Sequence, residues 1–295
     1  MVTKRTWGEI VFDIFNYILM SILIIIMIYP FYYVLVCSIS DSNYLIGQKG
    51  LMLKPLGLTF NAYKAVMRNP NILSGYKITL IVVVVGTAIN ILMTSMGAYI
   101  LSRKQFGLKK AMMIMILITM YFSGGLIPSY LLIFKYLNLG NNLLALILPG
   151  AISAWNLIIM RTNFQNIPES LEESAKIDGA NDFVVLFRII IPVAMPIIAV
   201  MILFYGVAHW NSWFGAMIYI RDKNLYPLQL ILREILLLNS MTDMAAGNTT
   251  NVDDYKIGES IKYATIVVSI LPVICIYPLI QRYFVKGIMV GAIKG

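Results

Sequence analysis

Long apolar runs alternate with short polar segments along most of the chain. A membrane-crossing α-helix needs about 20 predominantly apolar residues. The runs that reach or approach this length cover about residues 14–36, 78–101, 111–134, 143–160, 192–220 and 264–280. The pattern predicts an all-α polytopic protein with six transmembrane helices, forming a single membrane domain over residues 1–295.

The composition supports this interpretation and narrows the classes of partner. Hydrophobic residues make up 59% of the chain and charged residues 13%, which favours a multi-pass membrane protein over a soluble domain. The net charge of +9 also suits nucleic-acid binding. However, cations beside apolar spans usually follow the positive-inside bias and meet anionic lipid, so we expect membrane lipid and no nucleic acid. With two cysteines and one histidine, neither a disulfide framework nor a metal site is predicted.

The distribution of cations predicts the orientation in the membrane. The short segment 102–110 carries Arg103, Lys104, Lys109 and Lys110, which marks it as cytoplasmic. With six spans, both termini then lie in the cytoplasm, while residues 38–75 and 221–260 form extracytoplasmic loops. The first apolar run is too long for a signal peptide and is expected to remain as the first span.

Two spans contain helix-breaking residues. Pro128 follows Gly124 and Gly125 in the third span and is expected to kink it, because proline frees a backbone carbonyl. The fourth span is expected to break at Pro149–Gly150.

A polar stretch over residues 168–190 interrupts the apolar pattern and cannot cross a membrane. It predicts two short helices. Pro168 suits a first helical turn, and Ser170 and Glu173 have the spacing of a capping box. Gly179 can take positive φ and turn the chain, so that a second helix begins near Asn181 or Asp182.

The same stretch carries a long spaced motif. Glu173-Ser174-Ala175 is followed after three residues by Gly179 and after nine more by Ile189-Ile190-Ile191-Pro192. This resembles the EAA loop of bacterial ABC importer permeases, apart from Ser174 in place of Ala and Ile191 in place of Leu. The resemblance implies that the loop forms coupling helices seated on a cytoplasmic ATPase. The residues that it implicates are Glu172, Glu173, Ser174, Ala175, Asp178, Gly179 and Ala180.

Polar and aromatic residues elsewhere are candidates for the solute pathway and for a partner contact. The pathway candidates are Asn90, His209, Trp210, Asn211 and Trp213. The alternatives are that Asn90 bonds a neighbouring helix and that the aromatic residues anchor the membrane interface. In the flexible segment 242–254, Asn248, Thr249, Thr250 and Asn251 are expected either to contact a binding protein or to form a solvated linker.

The resemblance extends over nearly the whole chain. Residues 121–128 and the tail 286–295 look like the LplC-type oligosaccharide branch of the maltose-type (MalG-like) sugar permeases. This implies a type I ABC importer permease fold and half of a heterodimeric pore in the bacterial cytoplasmic (inner) membrane. The implied partners are an LplB-like sister permease, two ABC ATPase subunits, an extracytoplasmic solute-binding protein and an oligosaccharide. ATP and Mg would bind the ATPases, leaving this chain without a cofactor and without catalytic residues.

Two other functions remain open at this stage. A permease for phosphate, peptides or polyamines shares the EAA loop. An integral-membrane enzyme would need clustered acid, base, nucleophile or metal groups near one membrane face, whereas the acids here cluster only in the EAA loop, with no His or Cys beside them.

Overall fold

The computed structural model describes residues 6–45, 50–104, 106–245, 260–276 and 278. These residues fold into α-helices joined by short turns, with one isolated bridge between Ser40 and Leu58 as their only β pairing. The helices are α1 Trp7–Ser38, α2 Ser42–Leu45, α3 Asn61–Arg68, α4 Pro70–Ser102, α5 Lys109–Tyr121, α6 Leu126–Tyr130, α7 Leu144–Ile147, α8 Ala154–Gln165, α9 Glu169–Ile177, α10 Asp182–Val184, α11 Ile191–Val193, α12 Met195–Trp210, α13 Phe214–Tyr219, α14 Leu228–Ala245 and α15 Ser260–Ile276. A π-helical turn, Leu131–Tyr136, continues α6, and another, Val185–Ile190, joins α10 to α11.

Several of these helices are long and apolar enough to cross a membrane. Among the described residues, α1 and α4 pass this test alone. Three bent pairs pass it together: Lys109–Tyr121 with Leu126–Tyr136, Leu144–Gly150 with Ala154–Gln165, and Asp182–Val193 with Met195–Trp210. Helix α15 is apolar but shorter. The expected all-α membrane architecture is therefore confirmed at the level of its helical, apolar character.

The break in the third apolar run differs from the predicted kink. Helix α5 ends at Tyr121 and α6 begins at Leu126, with an angle of 113° between the two parts. Gly125 lies just before α6 with φ +82°, a conformation that glycine adopts without steric cost. Pro128 sits in the first turn of α6, where amides lack an intrahelical acceptor in any case. The prediction of a kink at Pro128 is wrong, since the chain turns before this residue.

The break in the fourth apolar run is confirmed. Helix α7 ends in a 3₁₀ turn, Leu148–Gly150, and the helical parts on either side are inclined by 51°. Ser153 then starts α8, and its hydroxyl accepts a hydrogen bond from the amide of Asn156 at 3.5 Å. A serine cap of this kind satisfies an otherwise unpaired amide at the helix start.

The chain divides into two compact units, residues 1–69 with 234–270 and residues 70–233 with 271–295. In the first unit, Val36, Cys37 and Met52 form a small core against Tyr33 and Tyr263. In the second, α4 packs along both α8 and α12. Their shared core includes Leu101, Met160, Phe164, Ile190 and Met201.

Helix α14 is longer than the sequence pattern suggests. An amphipathic helix was expected over residues 230–238, with flexible chain from Thr242 onward. The helix instead runs to Ala245, so the prediction is wrong for residues 242–245. The proposed partner residues Asn248, Thr249, Thr250 and Asn251 and the tail 286–295 lie outside the described residues.

Candidate functional site

The polar segment 168–190 has the expected two-helix form. Helix α9 ends at Ile177, and Gly179 follows with φ +84°. The side chain of Asn181 then caps the second helix, its Oδ1 atom accepting from the amide of Val184 at 2.9 Å. Gly179 therefore makes the turn, and the predicted start of the second helix is confirmed.

The predicted capping box at Ser170 is wrong. Helix α9 begins at Glu169 with Pro168 before it, so Ser170 lies inside the helix and caps nothing. A capping box is found instead at the start of α1, where Thr6 and Glu9 bond each other's backbone amides.

Glu172 is buried against the end of α4. Its Oε1 atom accepts a hydrogen bond from the Tyr99 hydroxyl at 3.0 Å and lies 3.0 Å from Lys176 Nζ. Its Oε2 atom forms an ion pair with the Arg103 guanidinium. The guanidinium also lies 4.8 Å from the centre of the Tyr99 ring. These contacts fasten α9 to α4.

The charged partners decide the protonation of this cluster. Burial alone would raise the pKa of the Glu172 carboxyl. The hydrogen bonds from Lys176 and Tyr99 and the charge of Arg103 outweigh burial and hold that pKa below its ordinary value. The hydrogen bond to Glu172 in turn raises the pKa of Lys176. Both groups are therefore charged at neutral pH.

The residues implicated in ATPase coupling fall into two groups. Glu172 and Ala175 are buried and face the chain's own core. Glu173, Ser174, Asp178 and Gly179 are exposed, and Ala180 is half-buried. No atom of the described chain lies within 4 Å of the position that a Cβ atom on Gly179 would take. The exposed group therefore forms an open surface, and the buried group supports it.

Apolar side chains extend this open surface. Ile177 is 86% exposed and Phe183 62% exposed, and Leu171 is also exposed. The sequence pattern indicated neither Ile177 nor Tyr99, and it indicated Arg103 only as a cation of the predicted cytoplasmic segment 102–110. Ile177 could have been predicted, because it lies four residues after Glu173 and so shares a face of α9 with it. No local sequence pattern connects Arg103 with Glu172.

Basic residues gather at the same end of the second unit. Arg161 Nε donates to the Leu101 carbonyl at 3.0 Å. With the Gln165 amide oriented to accept, its oxygen lies 3.0 Å from Lys109 Nζ and 3.1 Å from Arg161 Nη2. The basic segment 102–110 and the polar segment 168–190 thus lie on one side.

Asn90 and His209 form a polar contact inside the helix bundle. Asn90 Nδ2 donates to the carbonyls of Gly150 and Ala151 at 2.6 and 3.0 Å. Its Oδ1 atom accepts from His209 Nε2 at 2.7 Å. Asn90 is fully buried, so its side chain bonds neighbouring segments, as the structural alternative had it.

The other pathway candidates differ in exposure. Trp210 is buried, with its ring 6.1 Å from that of Tyr76. Asn211 is exposed and Trp213 half-exposed, in the break between α12 and α13. Of the five candidates, Asn211 is exposed, His209 and Trp213 are half-buried, and Asn90 and Trp210 are buried.

Comparison with known proteins identifies the class of molecule that this architecture serves. Residues 76–290 match the family model described as "Binding-protein-dependent transport system inner membrane component". The apolar helical bundle of this chain, with the polar segment 168–190 at one end, is thus the membrane component of a binding-protein-dependent transport system. The chain belongs to this family, and the expected ABC importer permease is confirmed.

Individual relatives cover almost the full length of the chain. The polygalacturonan/rhamnogalacturonan transport system permease protein YtcP of Bacillus subtilis strain 168 is 37% identical over 289 residues, 96% of this chain and 98% of the relative. Protein LplC of the same organism is 38% identical over 285 residues, 97% of this chain and 95% of the relative. YtcP is named as a transport system permease, and this chain is a non-catalytic permease subunit of the inner membrane.

A solved structure shows the same fold. The chain is similar to one in a crystal structure of a bacterial ABC transporter involved in the import of the acidic polysaccharide alginate. The TM-score is 0.84 at 30% sequence identity, covering 96% of this chain and 100% of the other. The type I ABC importer permease fold is therefore confirmed.

Proposed function

We propose that this permease forms one half of a heterodimeric pore that imports oligosaccharides. The observation that carries the proposal is the near full-length likeness to an alginate importer, together with the relative named for polygalacturonan and rhamnogalacturonan transport. Chains that share a fold and 30–38% of their residues over this length favour a shared class of solute. The other half of the pore is an LplB-like sister permease.

Six spans with both termini in the cytoplasm account best for the helices. By length and composition, α1, α4 and the three bent pairs can supply up to five spans. We assign the sixth to the shorter apolar helix α15. The side that carries segments 102–110 and 168–190 then faces the cytoplasm, in line with the positive-inside bias. Residues 38–75 and 221–260 lie on the outer side.

The open surface of segment 168–190 docks onto one of the two ABC ATPase subunits in the complex. Glu173, Ser174, Asp178, Gly179 and Ala180 make the contact, and the exposed apolar side chains beside them add to it. Glu172 and Ala175 act one layer below, because they hold α9 against α4. A displacement of α9 is thereby passed directly to a membrane helix.

The chain itself needs no cofactor in this scheme, since ATP and Mg bind the ATPase subunits. An extracytoplasmic solute-binding protein delivers the sugar, with Asn248, Thr249, Thr250 and Asn251 contacting it. On the pathway we place Asn211 and Trp213, whose amide and aromatic ring suit sugar hydroxyls and sugar faces.

The ATPase rate of the purified complex tests the solute class. The complex and its binding protein are assayed with a panel of oligosaccharides, a phosphate, a peptide and a polyamine. The proposal predicts that an oligosaccharide stimulates ATP hydrolysis. If only a non-sugar solute stimulated ATP hydrolysis, the oligosaccharide assignment would be wrong. The assignment of the chain as an ABC importer permease would still stand.

A further inference from the structure

Two arginines on the predicted outer side stack on aromatic rings. The Arg233 guanidinium lies 3.9 Å from the centre of the Trp213 ring, and that of Arg221 lies 4.8 Å from the centre of the Phe134 ring. Guanidinium groups stack on aromatic faces through cation–π attraction, which orients their N–H donors along the ring plane. Each pair therefore combines a fixed cation with an aromatic surface.

Both pairs are built around the short helix α13. Trp213 precedes its first residue, and Arg221 follows two residues after its last. Arg233 Nη1 also approaches the sulfur of Met217, on the same helix, at 2.8 Å. At about 1.5 Å rise per residue, the helix separates the two pairs by on the order of 10 Å. The site is thus extended, and suits a chain of sugar units better than a single small anion.

The aromatic part of the site is itself ordered. The rings of Phe134 and Tyr130 are stacked with centres 5.2 Å apart, and Tyr130 stacks on Tyr219 at 6.1 Å. The Asn141 side-chain oxygen accepts from the amides of Arg221 and Asp222 at 3.0 and 2.9 Å, which holds the start of the outer loop. The backbone that carries Arg221 is therefore positioned independently of its side chain.

The guanidinium donors remain largely unused. Within the part of the chain that the structure describes, no carboxylate lies within 4 Å of Arg221 or Arg233. An arginine has five N–H donors, and the thioether of Met217 is a weak acceptor. Asp222, next to Arg221, instead accepts from the amide and side chain of Asn224. Both guanidinium groups thus keep donors available for an anionic ligand.

Membrane topology does not account for these cations. The positive-inside bias places Lys and Arg on the cytoplasmic side, and Arg221 and Arg233 belong to the opposite side in the proposed topology. Carboxylates are the anions that a guanidinium binds best, through paired N–H···O bonds. Aromatic rings beside them pack against the apolar faces of sugar rings.

We propose that Arg221 with Phe134 and Arg233 with Trp213 form an outer binding site for acidic saccharides, those whose sugar units carry carboxylates. This proposal rests on the proposed function, since it specifies the charge of the oligosaccharide. Each guanidinium takes one carboxylate, and the Trp213 ring takes the face of a sugar unit. Phe134, which is already stacked on Tyr130, supports the Arg221 side chain. The site selects uronate-containing chains over neutral chains of the same length.

The test is saccharide uptake by the complete complex in proteoliposomes with its binding protein. The probes are a labelled oligogalacturonate, a labelled alginate oligosaccharide, and the methyl-esterified oligogalacturonate, which has the same length and no charge. The variants are Arg221→Gln, Arg233→Gln and their double mutant, with Arg→Lys at both positions to keep the cation. Lys223→Gln serves as the matched control, because Lys223 is an exposed cation on the same loop.

The double Gln variant is expected to raise the KM for the acidic saccharide about tenfold or more, as expected for the loss of hydrogen bonds to charged groups. The double Lys variant should restore part of this loss, and Lys223→Gln should leave the KM unchanged. Recovery and melting temperature of each complex show whether the fold is intact. A purely structural stack would impair uptake of acidic and neutral saccharides equally.

Three results would overturn the inference. The first is an unchanged KM for the acidic saccharide in the double Gln variant. The second is equal loss of acidic and neutral uptake, with no recovery in the double Lys variant. The third is that the wild-type complex takes up neutral saccharides but no acidic ones, a result that would leave the oligosaccharide importer in place. If the wild-type complex transported no saccharide at all, the proposed function would fail as well.

Discussion

The Nε2 atom of His209 lies 2.7 Å from the Oδ1 atom of Asn90, and the imidazole fills the space above Gly86. A Cβ atom on Gly86 would stand 2.6 Å from that nitrogen, so only glycine permits this approach. Asn90 also binds the carbonyls at the break after α7, which the 3₁₀ turn leaves without helical partners. One amide therefore ties α4 to both α12 and the broken fourth span.

We predict that Asn90→Leu lowers the stability of the complex. The substitution leaves two carbonyls and an imidazole N–H unpaired in an apolar interior, at a cost of about 1–3 kcal/mol. The melting temperature of the detergent-solubilised complex measures the effect. Thr87→Val is the matched control, because the Thr87 hydroxyl, one turn earlier on α4, is buried and has no hydrogen-bond partner among the described residues. Equal melting temperatures for Asn90→Leu and wild type would contradict this role.

The ion pair between Arg103 and Glu172 should matter far more than the exposed pair nearby. Arg103→Met removes one partner of a buried carboxylate that keeps Lys176 and Tyr99, so we expect a loss below the roughly 3–5 kcal/mol of an uncompensated buried charge. Lys104→Gln removes a pair whose side chains are 80% and 51% exposed, and such pairs contribute about 0–1 kcal/mol. Melting temperatures and ATPase retention on purification check both variants. A similar drop in melting temperature for both variants would show that the buried ion pair stabilises the complex no more than the exposed one.

The ion pair between Arg103 and Glu172 should also make the stability of the folded chain depend on pH in the acid range. The pKa of Glu172 is lower in the folded chain than in the unfolded one, so its stabilising contribution is present above about pH 4.3 and is lost as the pH falls through the folded-state value. Glu172→Gln lacks this titration, so its melting temperature should fall less than that of wild type between about pH 5 and pH 3. An identical pH dependence would contradict the assignment.

Two substitutions of Gly179 distinguish the need for a positive φ from the need for space at a docking surface. Its φ of +84° disfavours side chains with a Cβ atom, although asparagine tolerates the left-handed region. The position is open within the chain, so Gly179→Trp clashes with nothing until a partner docks. We predict that Gly179→Asn retains most transport, whereas Gly179→Trp loses the ATPase on purification with the membrane fold intact. Normal ATPase recovery with Gly179→Trp would place the docking surface elsewhere.

The proposed topology predicts which residues an impermeant thiol reagent reaches. Cys37 and Cys275 are replaced first, and single cysteines are then placed at Lys54, Lys109, Arg161 and Asn248. We expect labelling of intact cells at 54 and 248, and labelling at 109 and 161 only after lysis. Labelling at 248 only after lysis would reverse the orientation.

Local features of the sequence predicted local features of the fold. Proline and glycine at 149–150, glycine at 179 and asparagine at 181 act on the backbone within a few residues, so their effects followed from the chain alone. The 113° turn was missed because two glycines, and not Pro128, release the helix there. In each case the deciding energy is the conformational preference of one or two residues.

The contacts that organise the candidate site could not be predicted from local sequence patterns. The coupling motif implicated Glu172 in the ATPase contact, yet the side chain is buried against Arg103 and Tyr99, about 70 residues earlier. Arg233 likewise reaches Trp213 across a loop. Such pairings depend on how α4, α9 and α13 pack, which periodicity and spacing along one chain do not encode.

The central claim is that this chain, with its sister permease, ATPases and binding protein, moves oligosaccharides at the expense of ATP. The most direct measurement is uptake of a labelled oligosaccharide into proteoliposomes that hold the complete complex, with ATP or ADP supplied to the ATPases. We predict uptake that requires ATP and the loaded binding protein and that is abolished by Gly179→Trp. Uptake of a phosphate, peptide or polyamine with no uptake of any saccharide, under the same conditions, would contradict it.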